Sequence, residues 1–318
     1  MDIIDAINEG GRVLVLAHHN ADIDAVGASI ALREYIGPDA DLGVPDTVSK
    51  GARDLASKYN FIKNPSLDPY DTLIVVDCPS TEQLGHVNVE SFDGRLILID
   101  HHTPGDLMGI ADLSLTDSEA RSASELVYQL LREHGKVNKE AANALICGTV
   151  ADTSHLKLAG PEQFKYISDL LDISDKDYSD ILSILSTPID RSERIARLKA
   201  ASRIKGYVID DVLVVFSYVG SFEAASARSL LRLGSDIAIV FSRRDDEMRI
   251  SGRCRRGITD ILHLGEDIFS EIEDTLDGSA GGHDAAASGN GKNTDQEEIK
   301  SEILRKLEKA IGASAEEL

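Results

Sequence analysis

"AHHNADIDAVGAS", residues Ala17–Ser29, follows directly on the apolar run Val13-Leu14-Val15-Leu16 and places His18, His19, Asp22 and Asp24 within seven residues. A strand tip can turn on a single Gly, Asn or Asp. Two imidazoles and two carboxylates exceed what a turn requires. A helical pattern starts at Ile23, so the stretch reads as strand, turn and helix start in succession.

Two further apolar runs end in the same way. Leu73–Val76 leads to Asp77, and Leu96–Ile99 leads to Asp100-His101-His102. All three runs are too apolar for half-exposed strands and fit a sheet covered on both faces. Ile23–Tyr35, Gly51–Tyr59, Ala123–His134 and Lys139–Val150 read as helices. The alternation predicts a parallel α/β sheet. In such sheets ligands sit beyond the carboxyl ends of the strands, where these three clusters would converge.

Residues 161–200 read as helices, with "STPID" (Ser186–Asp190) as a break. From Gly206 the pattern changes. "YVIDDVLVVFSYV" offers two strands around Asp210-Asp211, Ser221–Leu233 is helical, and Ile237–Ser242 and Met248–Cys254 are strands. "SAGGHDAAASGNG" (Ser279–Gly291) reads as a glycine-rich loop. The tail from Asp295 to Leu318 reads as an amphipathic helix built on Ile299, Ile303, Leu304, Leu307 and Ile311. The fold class expected is α/β: a parallel-sheet domain over 1–187, a linker helix over 188–205, and a smaller α/β domain over 206–318. The active site is expected in the cleft between the domains.

With 318 residues, 42% hydrophobic and 28% charged, the composition is that of a soluble globular protein. No apolar run reaches the roughly 18 residues of a membrane span. "MDIIDAINEGG" lacks the basic start of a secretion signal. Three scattered cysteines make neither a disulfide framework nor a thiolate site. A cytoplasmic protein with no membrane partner is therefore expected. The net charge of −22 argues against gripping long duplex DNA and suggests a salt-adapted, archaeal source. Against that balance stands a basic island, "SRRDDEMRISGRCRRG", with Arg243, Arg244, Arg249, Arg253, Arg255 and Arg256. It reads either as an anion site or as surface arginines paired with Asp245, Asp246 and Glu247.

Imidazoles and carboxylates without thiolates suit a moderately hard divalent ion such as Mn²⁺. His18, Asp22 and Asp24 can enter one cleft, Asp77 can bridge two ions, His101 can add a nitrogen, and Asp152 of "GTVADTSHL" offers a further acid. Two divalent ions roughly 3.5 to 4 Å apart are the general device for phosphoryl hydrolysis. His102 then suits the leaving oxygen, and Arg253, Arg255 and His283 suit the non-reacting phosphates.

"HHNADIDAVGAS", "VVDCPS", "DHH" and "ADTS", in that order and spacing, resemble the four motifs of the DHH phosphoesterase superfamily. "SGRCRRG" and "AGGHDAAASG" resemble the arginine strand and the Gly-Gly-Gly-His loop of its associated C-terminal domain, with Ala280 in place of the first glycine. The resemblance implies one metal on His18, Asp22 and Asp77, and another on Asp24, Asp77, His101 and Asp152. It implies that His102 contacts the scissile phosphate, with Asp100 orienting a motif histidine. Arg253, Gly281, Gly282 and His283 would bind substrate phosphate. A contact from Arg121 or Ser122 of "SASE" is a weaker implication, and His19 is read as a surface residue of the turn rather than an accessory ligand.

The pyrophosphatase branch carries a Ser-Arg-Lys signature that is absent here, and the chain offers no room for the additional barrel of bacterial RecJ enzymes. Aromatics at 5%, with no Trp, argue against a long stacking platform. The function expected is a Mn²⁺-dependent phosphodiesterase, with Mg²⁺ or Co²⁺ as substitutes. It would be a RecJ-like or nanoRNase-type exonuclease releasing mononucleotides from short single-stranded RNA or DNA. The alternatives are a phosphatase of 3'-phosphoadenosine 5'-phosphate or another small nucleotide, and a replication-associated protein that retains nuclease activity. A homodimer and replication or repair partners remain open.

Overall fold

Val13–Leu16 is buried at every position and sits inside a six-stranded sheet, ordered Phe61–Lys63, Ala40–Val44, Val13–Leu16, Thr72–Val76, Arg95–Asp100, Leu113–Thr116. Every pairing in it is parallel. The chain first builds outward from Val13–Leu16 to Ala40–Val44 and Phe61–Lys63. It then returns to Thr72–Val76 and builds the other way. That reversal opens a crevice at the carboxyl ends of Val13–Leu16 and Thr72–Val76, where His18 and Asp77 follow.

The structure is a computed structural model and describes residues 2–9, 11–135, 137–186, 189–244 and 246–318. Thr187 and Pro188, within the expected break and domain boundary, lie outside the described residues. So does Asp245, one of the acids weighed against the arginine island. The chain divides into two units, Met1–Thr187 and Pro188–Leu318.

In the first unit the strands alternate strictly. Val13, Val15, Ile74, Val76, Ile97 and Ile99 face the helix Ile23–Ile36 and its neighbours, while Leu14, Leu16, Leu73, Val75, Leu96 and Leu98 form a second core on the other face. Both faces are covered, as the continuous apolar runs required. The strands Ala40–Val44, Phe61–Lys63 and Leu113–Thr116 had no sequence signal. Asp41 and Gly43 interrupt the first, the second is three residues long, and the third alternates at a half-buried edge. The expected helix Gly51–Tyr59 shrinks to Arg53–Ala56, whose start has no side-chain cap.

Ile23–Ile36 is buried on all sides from Asp24 to Leu32, the environment of a central helix. It crosses Lys139–Asp152 closely, because a Cβ on Gly27 would stand 2.5 Å from the backbone oxygen of Ala144.

The second unit is a seven-stranded mixed sheet, in which only Val212–Val219 and Ile237–Arg244 run parallel. The helices Arg191–Ser202 and Glu223–Leu233 cover one face, where Ala196, Ala200, Ala227 and Leu230 meet Val215, Val219, Ala238 and Val240. The segment expected as a linker thus packs as part of this unit. The helix Gln296–Ile311 covers the other face through Ile299, Ile303 and Leu307. The expected tail helix stops at Ile311, and Ala315–Glu317 pairs with Lys205–Ile209.

The glycine-rich loop is instead a hairpin. Gly278–His283 and Ala286–Gly291 pair residue for residue, from Gly278 opposite Gly291 to His283 opposite Ala286. Its residues are too small to carry an apolar alternation, so backbone pairing alone decides the structure. All three cysteines are free and buried.

Gly27→Ala should destabilise the first unit by about 1–3 kcal/mol, since overpacking against a backbone carbonyl outweighs the gain of about 1 kcal/mol in helix propensity. Gly109→Ala, whose Cβ meets nothing within 4 Å, should be neutral or slightly stabilising. Urea melts of the two variants check the contrast.

Candidate metal centre

Asp22 ends the turn after Val13–Leu16 and caps the helix Ile23–Ile36: its Oδ1 accepts from the N–H groups of Asp24 (2.9 Å) and Ala25 (3.1 Å). The capping bonds fall on one oxygen of a half-exposed carboxylate and leave the other for a cation. His18 Nε2 lies 4.0 Å from Asp22 Oδ1. Asp24 is buried in the helix's first turn. Its carboxylate accepts from the N–H of Ala123 (2.5 Å) and of Ser124 (3.0 Å), at the start of the helix Ala123–Arg132. A helix N-terminus is a natural seat for a carboxylate.

Asp77 follows Thr72–Val76 with φ +57°, a left-handed conformation that Asp tolerates better than most residues. It is 3% exposed, and its Oδ1 is a buried atom with no hydrogen-bond partner. His101 Nε2 stands 3.4 Å from that atom and 3.3 Å from Asp152 Oδ2. The other ring nitrogen, Nδ1, lies 3.4 Å from the carbonyl oxygen of Ala120. His102 is half exposed, and its Nδ1 is bonded to Asp100 Oδ1 at 2.8 Å.

Among the described residues, three groups bring ligand atoms within 4.8 Å of one another: His18 with Asp22 and Asp77, Asp24 with His101 and Asp152, and Asp77 with His101 and His102. Asp77 is common to two of them. A buried carboxylate oxygen without a donor costs free energy unless a cation meets it. The donor set, all imidazole nitrogen and carboxylate oxygen, fits a divalent ion of intermediate hardness.

Charge repulsion marks the cluster. Burial raises the Asp24 carboxyl well above its usual range, with Asp77 and Asp152 adding to it. Burial and then Asp77 push Asp152 up to about 6. Burial disfavours the His101 cation, yet Asp77, Asp24 and Asp152 together hold its pKa up at about 9. His102 is raised chiefly by its bond to Asp100.

Some residues stand elsewhere. His19 is exposed, with Nδ1 3.2 Å from the Gln83 carbonyl oxygen, and joins none of the three ligand groups. Ser122 is fully buried: its Oγ accepts from the N–H of Glu125 (3.0 Å), which makes it a helix cap rather than a phosphate contact. The S-x-x-E spacing of "SASE" is a capping signature. Two contributors to the centre had no sequence signal. They are the Ala123 and Ser124 amides, and Gly148, where a Cβ would come 2.6 Å from Asp24 Oδ1 and 2.0 Å from Ser124 Oγ.

In the second unit, Arg253, Ala286 and His283 form one cross-strand row, so Arg253 and His283 project from the same sheet face. Arg253 Nη1 donates to the backbone oxygen of Gly252 at 2.7 Å. Gly281 shares that face with Ser251 and Ser288, while Gly282 lies in the alternate row with Ala287 and Gly252. Arg255 is bound to Asp236 at 2.9 Å.

Residues 12–149 match the model of the DHH family N-terminal domain, and residues 212–313 match the DHHA1 domain. The uncharacterized protein MJ0988 of Methanocaldococcus jannaschii is 35% identical over 306 residues, 92% of each chain. The chain belongs to the DHH superfamily. It is a phosphoesterase of the kind that works with a divalent metal ion. "Probable manganese-dependent inorganic pyrophosphatase" of Streptococcus agalactiae is 27% identical over 157 residues, 46% of this chain and 50% of that one. An exopolyphosphatase-related protein from Bacteroides fragilis has the same fold, with a TM-score of 0.62 at 20% identity over 97% of this chain and 95% of that one.

Mn²⁺ should raise the Tm of this DHH protein. At one hundred times Kd the gain is about 2.7 kcal/mol, or about 5–11 °C for a unit of this size. Asp77→Asn, which keeps a residue that tolerates positive φ, should weaken Mn²⁺ binding at least about 100-fold. In the metal-free protein the raised groups favour folding in their protonated forms. The contribution from Asp152 is lost as pH rises through about 6, and that from His101 as it rises through about 9. A cation takes the deprotonated forms, so the Mn²⁺-induced gain in Tm should be larger at pH 8 than at pH 5.5. Mn²⁺ binding at pH 7 should release protons, read by calorimetry in buffers of different ionisation enthalpy.

Proposed function

We propose that the chain is a manganese-dependent phosphodiesterase that trims short single-stranded RNA or DNA from one end and releases mononucleotides. The observation that carries the phosphoryl chemistry is Asp77, which belongs to two of the three ligand groups and whose buried Oδ1 has no hydrogen-bond partner. His18, Asp22 and Asp77 would hold one ion, and Asp24, Asp77, His101 and Asp152 the other. When bound, such ions supply Lewis acidity toward phosphoryl oxygens and lower the pKa of water.

The remaining steps fall to the chain's own groups. Asp100 is buried and fixes His102 through Nδ1, leaving Nε2 of a half-exposed ring for the substrate. Raised by Asp100, His102 carries the proton that a departing oxygen needs. Asp100 is its positioning residue. Arg253 and His283, in one row of the second unit's sheet, with Gly281 beside them, suit a substrate phosphate and leave room for close backbone approach. Arg255, held by Asp236, contributes less.

The test is a product time course in Mn²⁺ on 5'- and 3'-labelled RNA and DNA from dinucleotide to about twenty residues. 3'-phosphoadenosine 5'-phosphate serves as a parallel substrate and Asp77→Asn as the blank. Stepwise mononucleotide release, absent from the blank, is expected and gives polarity and sugar preference together. Turnover of the small bisphosphate alone would replace this reading with a nucleotide phosphatase. Silence on every substrate would replace it with action on pyrophosphate or polyphosphate, or with a role beside replication proteins. Arg253→Ala should raise KM with a smaller change in kcat, whereas Arg255→Ala should do little; equal effects would remove Arg253 from the substrate.

A further inference from the structure

The arginine island has a second part. Where the helix Glu223–Leu233 begins, against the ends of Ile237–Arg244 and Glu247–Cys254, the second unit has a cleft of about 480 Å³. Arg228, Arg244 and Arg249 line it, with Phe222 and Ser242. Some guanidinium groups of this acidic chain are paired with carboxylates, among them Arg12 with Asp41, Arg95 with Glu9, Arg255 with Asp236 and Arg305 with Glu302. Among the described residues Arg228, Arg244 and Arg249 have no such pair.

The two acids that share the cleft are engaged with other donors. Glu193 accepts from Arg197 (2.5 Å), and Glu223 accepts from Ser242 Oγ (3.2 Å). Arg228 also repels Arg253, whose pKa is lowered first by burial and then by that neighbour. Three arginines against two glutamates, one of them ion-paired with Arg197, leave the cleft an excess of positive charge that suits an anion.

Phe222 supplies a second, different feature. It is 37% exposed and adopts φ +65°, a conformation that bulky residues rarely take. An exposed aromatic ring beside converging guanidinium groups is the pairing that single-stranded nucleic acid uses, base on ring and phosphate on cation.

We propose that this cleft is a nucleotide subsite: Arg228, Arg244 and Arg249 hold a phosphate of a single-stranded nucleic acid, and Phe222 stacks one of its bases. The subsite deepens the oligonucleotide reading above by engaging a nucleotide other than the one hydrolysed. Its test needs no turnover, so it can fail or stand independently of that reading.

The experiment is a fluorescence-anisotropy titration of a labelled single-stranded pentanucleotide with the full chain in EDTA, at several salt concentrations. Arg244→Ala/Arg249→Ala should weaken binding about tenfold and lower the slope of log K against log salt by about 0.7 for each phosphate no longer neutralised. Phe222→Ala should weaken binding about fivefold or more with the slope unchanged, and Phe222→Tyr should restore it. All three arginines are exposed, so the fold should survive their loss; an unchanged Tm checks this. Absence of binding by the parent chain, equal slopes in parent and arginine variant, or no loss in Phe222→Ala would overturn the subsite. Equal competition by polyglutamate would overturn it in favour of an acidic peptide.

Discussion

Three carboxylates, Asp24, Asp77 and Asp152, crowd around one imidazole, and two of the three are almost wholly buried. Like charges at this range in a low dielectric repel strongly. Everything around them lowers that energy or supplies a place for a cation. The start of the helix Ala123–Arg132 points two N–H groups at Asp24, His101 sits between Asp77 and Asp152, and Asp77 keeps one oxygen with no donor. The repulsion among these carboxylates is what a bound cation would relieve.

The sheet topology gives the cluster its place. Because the chain reverses its direction of growth beside Val13–Leu16, the ends of that strand and of Thr72–Val76 border an open crevice rather than a crossing helix. His101 and His102, directly after Arg95–Asp100, join from the next position. Asp152 arrives from a different layer, at the last turn of Lys139–Asp152, and that helix comes close enough only because Gly27 and Gly148 have no side chains. The candidate metal centre therefore rests on packing between helices as much as on the strand ends.

The second unit uses the opposite electrostatics. Its sheet carries Arg253 and His283 in one row and presents three further arginines at the head of a helix, within a chain of net charge −22. Negative charge elsewhere disfavours indiscriminate binding of polyanions.

The strands Val13–Leu16, Thr72–Val76 and Arg95–Asp100 were legible in the sequence because burial on both faces demands unbroken apolar runs. The acids and histidines after them were legible because no turn needs so many. Ala40–Val44, Phe61–Lys63 and Leu113–Thr116 were not, since each is short, interrupted or at an edge, and becomes a strand only by pairing with a neighbour already in place. The hairpin Gly278–Gly291 read as a loop because glycine and alanine carry no periodicity, and hydrogen bonds across the pair are what define it. By itself the sequence determined which acids and histidines stand at the strand ends, their order and the strands that carry them, because these follow from local chemistry and from period. Only the tertiary structure decided that Arg255 is held by Asp236, and that Asp24 is held by two amides ninety-nine and one hundred residues away. Those outcomes depend on which groups meet after the chain has folded, and distance along the chain does not specify that.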